Sequence, residues 1–183
     1  MPKLTLAITL ALLLTGCALS QQDPLRSVSP DDVEQIGDWG AAKNVTRLRN
    51  LYFSAQPDDA ALEAAHAAGT RIVINMREAD RQDPNEEATA RALGMQYLSI
   101  PIQRRSSTLN DDAIARISKV IADNPDTAIL LHCGSGTRAT GWLAARLAQE
   151  MPVDDALAVA GKAGLTNEGM IERVRTFNAA ADR

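Results

Sequence analysis

Between Leu130 and Thr140 the chain reads LLHCGSGTRAT. An apolar run ends in His132 and Cys133, Gly134 and Gly136 flank Ser135, and Thr137 precedes Arg138, five positions after the cysteine. A thiol placed between a strand and a helix lies near the helix N-terminus, where the partial positive charge favours the thiolate. Glycines let several backbone N–H groups turn toward one point, and such a nest binds an anion. Arginine adds a forked cation that holds two oxygens of a tetrahedral oxyanion. Ser135 and Thr137 carry hydroxyls that can bond the sulfur or the anion. The spacing therefore describes covalent catalysis on an oxyanion group, with Cys133 as nucleophile, the amides of Gly134, Ser135, Gly136, Thr137 and Arg138 as cradle, and Arg138 as clamp. His132 is read as orienting the loop. His66, in AAHAAG, is a packed or solvated residue of an alanine-rich helix. Neither histidine has a carboxylate cluster beside it in sequence, so neither a metal nor another cofactor is expected.

The loop needs a frame to hold it. TAILLH (127–132) is apolar throughout, as in a strand covered on both faces. RIVINM (71–76) is β-branched and too short for a helix, and MQYLSIP (95–101) is a strand closed by Pro101. Between them DDAALEAAHAAG and NEEATARALG are helices stopped by Gly69 and Gly94. TLNDDAIARISKVIADNP sets Ile114, Ile117 and Ile121 on one helical face, with Thr108 and Asp111 spaced as a capping box. A helix from about Thr137 to Glu150 follows the loop, and two more follow Pro152. Val45–Leu48 and Leu51–Ser54 are short extended runs, and PDDVEQIGDW (30–39) is read as a short opening helix. Alternating strands and helices imply an α/β fold with a mostly parallel central sheet flanked by helices, and a helical C-terminal cap. Ligands of such sheets sit beyond the carboxyl ends of the strands, where Cys133 falls.

The chain has 183 residues, 45% apolar and only 3% aromatic, which suits one domain with an aliphatic core. A net charge of −4 with interspersed signs argues against a nucleic-acid partner. Lys3 precedes an apolar run from Leu4 to Leu14, shorter than the ~20 residues that span a bilayer and suited to a secretory signal. LTGC (14–17) resembles a bacterial lipobox. That resemblance implies a signal peptide at 1–16, lipidation of Cys17, a tether at 17–30 and a domain at 31–183. It also implies a periplasm-facing protein held to the membrane by its lipid anchor; Ala18 after the cysteine favours the outer membrane. Cys133 would then be the sole thiol of the mature chain, which excludes a disulfide framework.

HCGSGTRAT resembles the active-site loop of cysteine-dependent phosphatases. LYFSAQPDDAALEAAHAAGTRIVINMREAD and EEATARALGMQYLSIPI resemble the dual-specificity-type phosphatase domain associated with beta-lactamase-hydrolase-like proteins, over about Val45 to Leu165. The resemblance implies a phosphatase-like domain that hydrolyses a phosphorylated protein or small molecule through a cysteinyl-phosphate on Cys133. Gln56, Asn75 and Arg77 match its entry and second-strand motifs. Two departures stand out. The loop is Cys-x4-Arg where the usual spacing is Cys-x5-Arg; the beta-lactamase-hydrolase-like group also carries the short form, and rhodanese-type sulfurtransferases use it to hold a persulfide. In dual-specificity relatives an acidic residue follows the Ile-Pro strand, but here that loop reads IQRRSSTLNDD (102–112). Asp111, Asp112 and Asp80 are the candidate general acids, although the first two suit a helix start better than catalysis. A rhodanese-like sulfurtransferase acting through a Cys133 persulfide and a non-catalytic, anion-binding pseudophosphatase remain the alternatives.

Overall fold

The computed structural model describes residues 24–106 and 109–181. Cys17 with its signal and lipobox, and Thr108 with its proposed capping box, lie outside the described residues. Among those described, no helix is long and apolar enough to cross a membrane.

Six strands form one sheet: β1 (Val33–Trp39), β2 (Ala42–Leu48), β3 (Leu51–Ser54), β4 (Thr70–Asn75), β5 (Gln96–Ser99) and β6 (Ala128–His132). Their spatial order is β1-β2-β3-β6-β4-β5. β1, β2 and β3 form an antiparallel meander, and the β3-β6, β6-β4 and β4-β5 pairs are all parallel. The α/β class and the parallel core are as the strand–helix alternation implies. The opening segment is not. Pro30–Asp32 is a single 3-10 turn and the rest of PDDVEQIGDW is β1, a solvent-exposed edge strand paired with β2. β1 is mostly polar because little of it is buried, so its pattern carries no strand signal; the ladder to β2 makes it a strand. The core also begins earlier than the domain boundary at 31 suggests. Leu25 and Val28, within the stretch read as tether, are buried in it.

The strands alternate between two apolar layers, following their two-residue period. Phe53, Ile72, Ile74, Ile129 and Leu131 face one layer, with Ile114, Ile117 and Ile121 of α3 (Asp111–Asp123) and Trp142 of α4 (Thr137–Leu147). Tyr52, Val73, Leu130 and Tyr97 face the other, with α1 (Asp59–Ala67) and α2 (Glu86–Ala92) supplying Leu62, Ala65 and Ala90. α5 (Val153–Lys162) and α6 (Glu168–Ala181) pack on α4 and form the C-terminal helical cap. Asn110 caps α3, its side chain accepting from the Asp112 amide at 3.0 Å. Trp142 Nε1 donates to the Ile114 carbonyl at 3.3 Å, tying α4, which carries the loop, to α3.

Ile117 is fully buried at the centre of the α3 face. Ile117→Ala should therefore cost about 2–5 kcal/mol of unfolding free energy, read by urea denaturation. A loss under about 1 kcal/mol would mean that α3 is not seated on the sheet as described.

Candidate active site

Four parallel strands end in register. Ser54, His132, Asn75 and Ser99 lie side by side across β3, β6, β4 and β5. Beyond that line each strand delivers one part of the site: Gln56 after β3, Cys133 after β6, Met76 to Glu78 after β4, and Ile102 to Arg104 after β5. Backbone bonds keep these segments together, from Met76 N to His132 O at 2.9 Å, Ile102 N to Met76 O at 3.2 Å and Gln56 N to Gly134 O at 3.5 Å.

Cys133 is 1% exposed, beneath the exposed Gly134 and Ser135. Its Sγ accepts from the backbone N–H of Arg138 at 3.4 Å, a bond from the first turn of α4 to the sulfur. Gly136, at the helix N-cap, has φ 83°, a left-handed conformation that strains other residues. Gly134 is not left-handed, so one of the loop's two glycines is demanded by the backbone angle. Ser135 and Thr137 bond each other through their hydroxyls at 3.1 Å.

The Arg138 side chain is almost buried, and Nη1 donates to the Met76 carbonyl at 3.0 Å, Glu78 Oε2 at 2.7 Å and the Ile102 carbonyl at 3.3 Å. Nη2 lies over Gly134, 3.9 Å from where a Cβ would stand. One end of the guanidinium is thus fixed to the ends of β4 and β5 while the other overhangs the loop. Partial burial resists ionisation of Glu78, but the Arg104 amide at 2.7 Å, its own amide and the Arg138 cation outweigh that, so its pKa falls below the ordinary 4.5. Burial lowers the pKa of Arg173 on α6, and the charge of Arg138 lowers it further.

Beneath the loop lies a polar cluster. Glu86 is 3% exposed and accepts from Gln56 Nε2 at 2.6 Å and Asn75 Nδ2 at 3.3 Å. Its other oxygen is 2.6 Å from His132 Nε2, a close contact outside hydrogen-bond alignment. Asn75 also donates to the Tyr97 hydroxyl at 2.7 Å, and burial raises the Tyr97 pKa so that the phenol stays protonated. Gln56 Oε1 accepts from Arg77. Gln56, Asn75 and Arg77 are thus brought together around the loop. The single carboxylate beside His132 is Glu86, brought from a helix distant in sequence.

The candidate acids fare differently. Asp111 and Asp112 are exposed in the first turn of α3, and Asp112 lies 3.7 Å from Arg116. They border a hollow of about 520 Å³ with Gln103, Ser106, Leu109 and Asn110, outside the Cys133–Arg138 loop. Asp80 is exposed on a 3-10 turn. The carboxylates that do engage the site, Glu78 and Glu86, were missed. A signal for Glu86 existed. Glu87 has Arg91 four residues on, whereas Glu86 has Ala90, a core position, and so shares the buried face of the helix.

A thiol at the end of the central parallel strand, under a glycine loop and an arginine fixed from two neighbouring strands, defines a phosphatase-like domain of the protein tyrosine phosphatase type. The chain belongs to the family described as DSP-PTPase phosphatase fused to NAD+ kinase, which it matches over residues 31–176. Solved structures with this fold include a DUF442 protein of Shewanella putrefaciens CN-32 (TM-score 0.61, 16% identity, 78% of this chain and 95% of that one). Tk-PTP is similar at TM-score 0.63 and 18% identity over 79% and 99% of the two chains. TpbA of P. aeruginosa, solved in complex with pTyr, is similar at TM-score 0.55 and 17% identity over 86% and 95%. Among curated proteins, the aspartate carbamoyltransferase catalytic subunit of Wolbachia pipientis is 30% identical over 99 residues, covering 53% of this chain and 32% of that protein's length.

Because folding lowers the Glu78 pKa, its contribution to stability is fully present above pH 4.5 and is lost as pH falls through the lower folded value. Glu78→Gln should destabilise the protein by about 1–2 kcal/mol at pH 6–7, and the gap to wild type should close at more acid pH. Urea titrations across that range measure it; a gap that does not depend on pH would remove Glu78 as the ionised partner of Arg138.

Proposed function

We propose that the domain is a cysteine-dependent phosphatase that hydrolyses phosphate esters through a cysteinyl-phosphate intermediate. The observation that carries this reading is the pairing of the Cys133 sulfur with the Arg138 amide at 3.4 Å, beneath a guanidinium already anchored to the sheet. Cys133 Sγ attacks phosphorus in line with the leaving oxygen. The amides of Gly134 to Arg138 and the free edge of the Arg138 fork hold the equatorial oxygens as charge spreads over them. The P–O bond breaks as the S–P bond forms, and water then displaces the thiolate and releases phosphate. Family membership and the pTyr complex of TpbA support a phosphorylated substrate, with aryl phosphate as its simplest surrogate.

The protein should hydrolyse p-nitrophenyl phosphate, whose leaving group needs little acid assistance, and vanadate should inhibit it. Cys133→Ser should abolish turnover. Arg138→Lys should lower kcat/KM by about 100-fold or more, because a point charge does not replace the fork. The four-residue spacing between Cys133 and Arg138 favours sulfur transfer as a second reading. Transfer of sulfur from thiosulfate to cyanide through Cys133, with no aryl phosphatase activity, would establish it; neither activity would leave an anion-binding domain.

From Lys3, the apolar run and LTGC we also propose a cell-envelope protein, lipid-anchored at Cys17 and facing the periplasm, with the outer membrane favoured. Cys17→Ser should release it from the membrane fraction or block its maturation. A mature-size, lipid-labelled Cys17→Ser chain that still pellets with membranes would refute the anchor.

A further inference from the structure

The carboxylates around Cys133 are committed elsewhere. Glu78, the one nearest the clamp, spends one oxygen on the Arg104 amide and the other on Arg138, and these contacts keep it ionised. Glu86 is closed off beneath the loop by Gln56, Asn75 and His132. The loop after β5 offers arginines in place of an acid, and Asp111 and Asp112 face solvent in the first turn of α3.

Arginines lie on the segments that border the Cys133–Arg138 loop. Arg77 is bonded to Gln56, whose own amide meets the phosphate loop at Gly134. The backbone amide of Arg104 bonds the Glu78 oxygen opposite the one that meets Arg138, so the exposed Arg104 and Arg105 stand on the segment that borders the clamp. Arg173 donates to the Gln103 carbonyl at 3.0 Å, close enough for the charge of Arg138 to act on it. Among the described residues no carboxylic acid is left uncommitted beside the Cys133–Arg138 loop, and such a site, bordered by arginines, suits a leaving group that departs as an anion. An alkoxide must be protonated as it leaves. A phosphate leaves with its charge already spread over several oxygens, and arginine forks match those oxygens.

We propose that the substrates this site turns over best are phosphoanhydrides, in which the transferred phosphoryl group is joined to another phosphate, and that Arg104 and Arg105 bind the departing phosphate. The proposal rests on the phosphatase reading above. Cys133 thiolate attacks the terminal phosphorus. An S–P bond forms, the P–O bond to the bridging oxygen breaks, and its electron pair leaves on the departing phosphate with no proton required. Water then attacks phosphorus, the S–P electrons return to sulfur, and inorganic phosphate leaves with the surplus proton passing to solvent. No oxidant or further reactant is needed.

Steady-state kinetics on the full chain would compare inorganic pyrophosphate, tripolyphosphate, ADP, p-nitrophenyl phosphate and glycerol 3-phosphate. The expected result is kcat/KM for at least one anhydride ≥100-fold above glycerol 3-phosphate, with ADP against the inorganic anhydrides showing whether a nucleoside is also recognised. In the double variant Arg104→Ala/Arg105→Ala, the ratio of anhydride to aryl phosphate kcat/KM should fall ≥10-fold. Turnover of glycerol 3-phosphate comparable to the anhydrides would reveal a proton donor and overturn the proposal. So would Cys133-dependent aryl phosphatase activity with no anhydride hydrolysis, or an unchanged ratio in the double variant. Absence of any Cys133-dependent hydrolysis of p-nitrophenyl phosphate would instead remove the phosphatase reading, and this proposal with it.

Discussion

The site depends above all on where the Arg138 guanidinium is held. Two carbonyls and one carboxylate, from the ends of β4 and β5, meet a single nitrogen of that side chain. Arginine loses much side-chain freedom when it is ordered, and here the scaffold bears that cost before any ligand arrives. The sheet order explains why the acceptors are available. β6 lies between β3 and β4, so the strand that ends at Cys133 is flanked on one side by the segment that anchors Arg138. The backbone bond from Met76 N to His132 O joins those two strand ends one residue before the cysteine.

The second constraint lies under the loop. A carboxylate as buried as Glu86 is costly unless its oxygens are met by donors; Gln56 and Asn75 donate to it, and His132 packs against it from a third strand end. The cluster thereby fixes α2 against the sheet and holds the side chain that precedes Cys133. Removing one member would strand the others in a dry interior, which is why such clusters specify one arrangement of the strand ends.

Much of this was legible in residue types. The apolar 127–132 run was recognisable as the covered middle strand because it lacks polar alternation, and the thiol, glycines and arginine announced their chemistry through spacing. What escaped depends on partners distant in sequence. β1 is polar, exposed and broken by Gly37 at φ 102°; its strand character exists only through β2. Leu25 and Val28 sit among polar residues that suggested a tether, and their burial follows from the fold of later segments. Glu86 and Glu87 are identical in type and adjacent in position, yet one is buried beneath the loop and the other pairs with Arg91 on the surface. Only the residues four positions on, Ala90 after Glu86 and Arg91 after Glu87, tell the two apart in the sequence.

The short loop between Cys133 and Arg138 closes without losing its grip on the sulfur. Gly136, left-handed at the N-cap, turns the chain sharply enough for α4 to begin at Thr137, so the second residue of the helix already carries the amide that reaches Sγ. A Cβ on Gly136 would meet the Ser54 carbonyl only at ordinary contact distance, 3.5 Å, so backbone angle and not crowding selects glycine there. Thr140 secures the turn from within the helix, its amide and hydroxyl both bonding the Gly136 carbonyl. A residue fewer than the usual spacing shortens the arc of amides around an anion. The first turn of α4 and the Arg138 fork stand on the same side of the loop, the amide on the Cys133 sulfur and Nη2 over Gly134, so helix terminus and guanidinium direct their positive ends at one place.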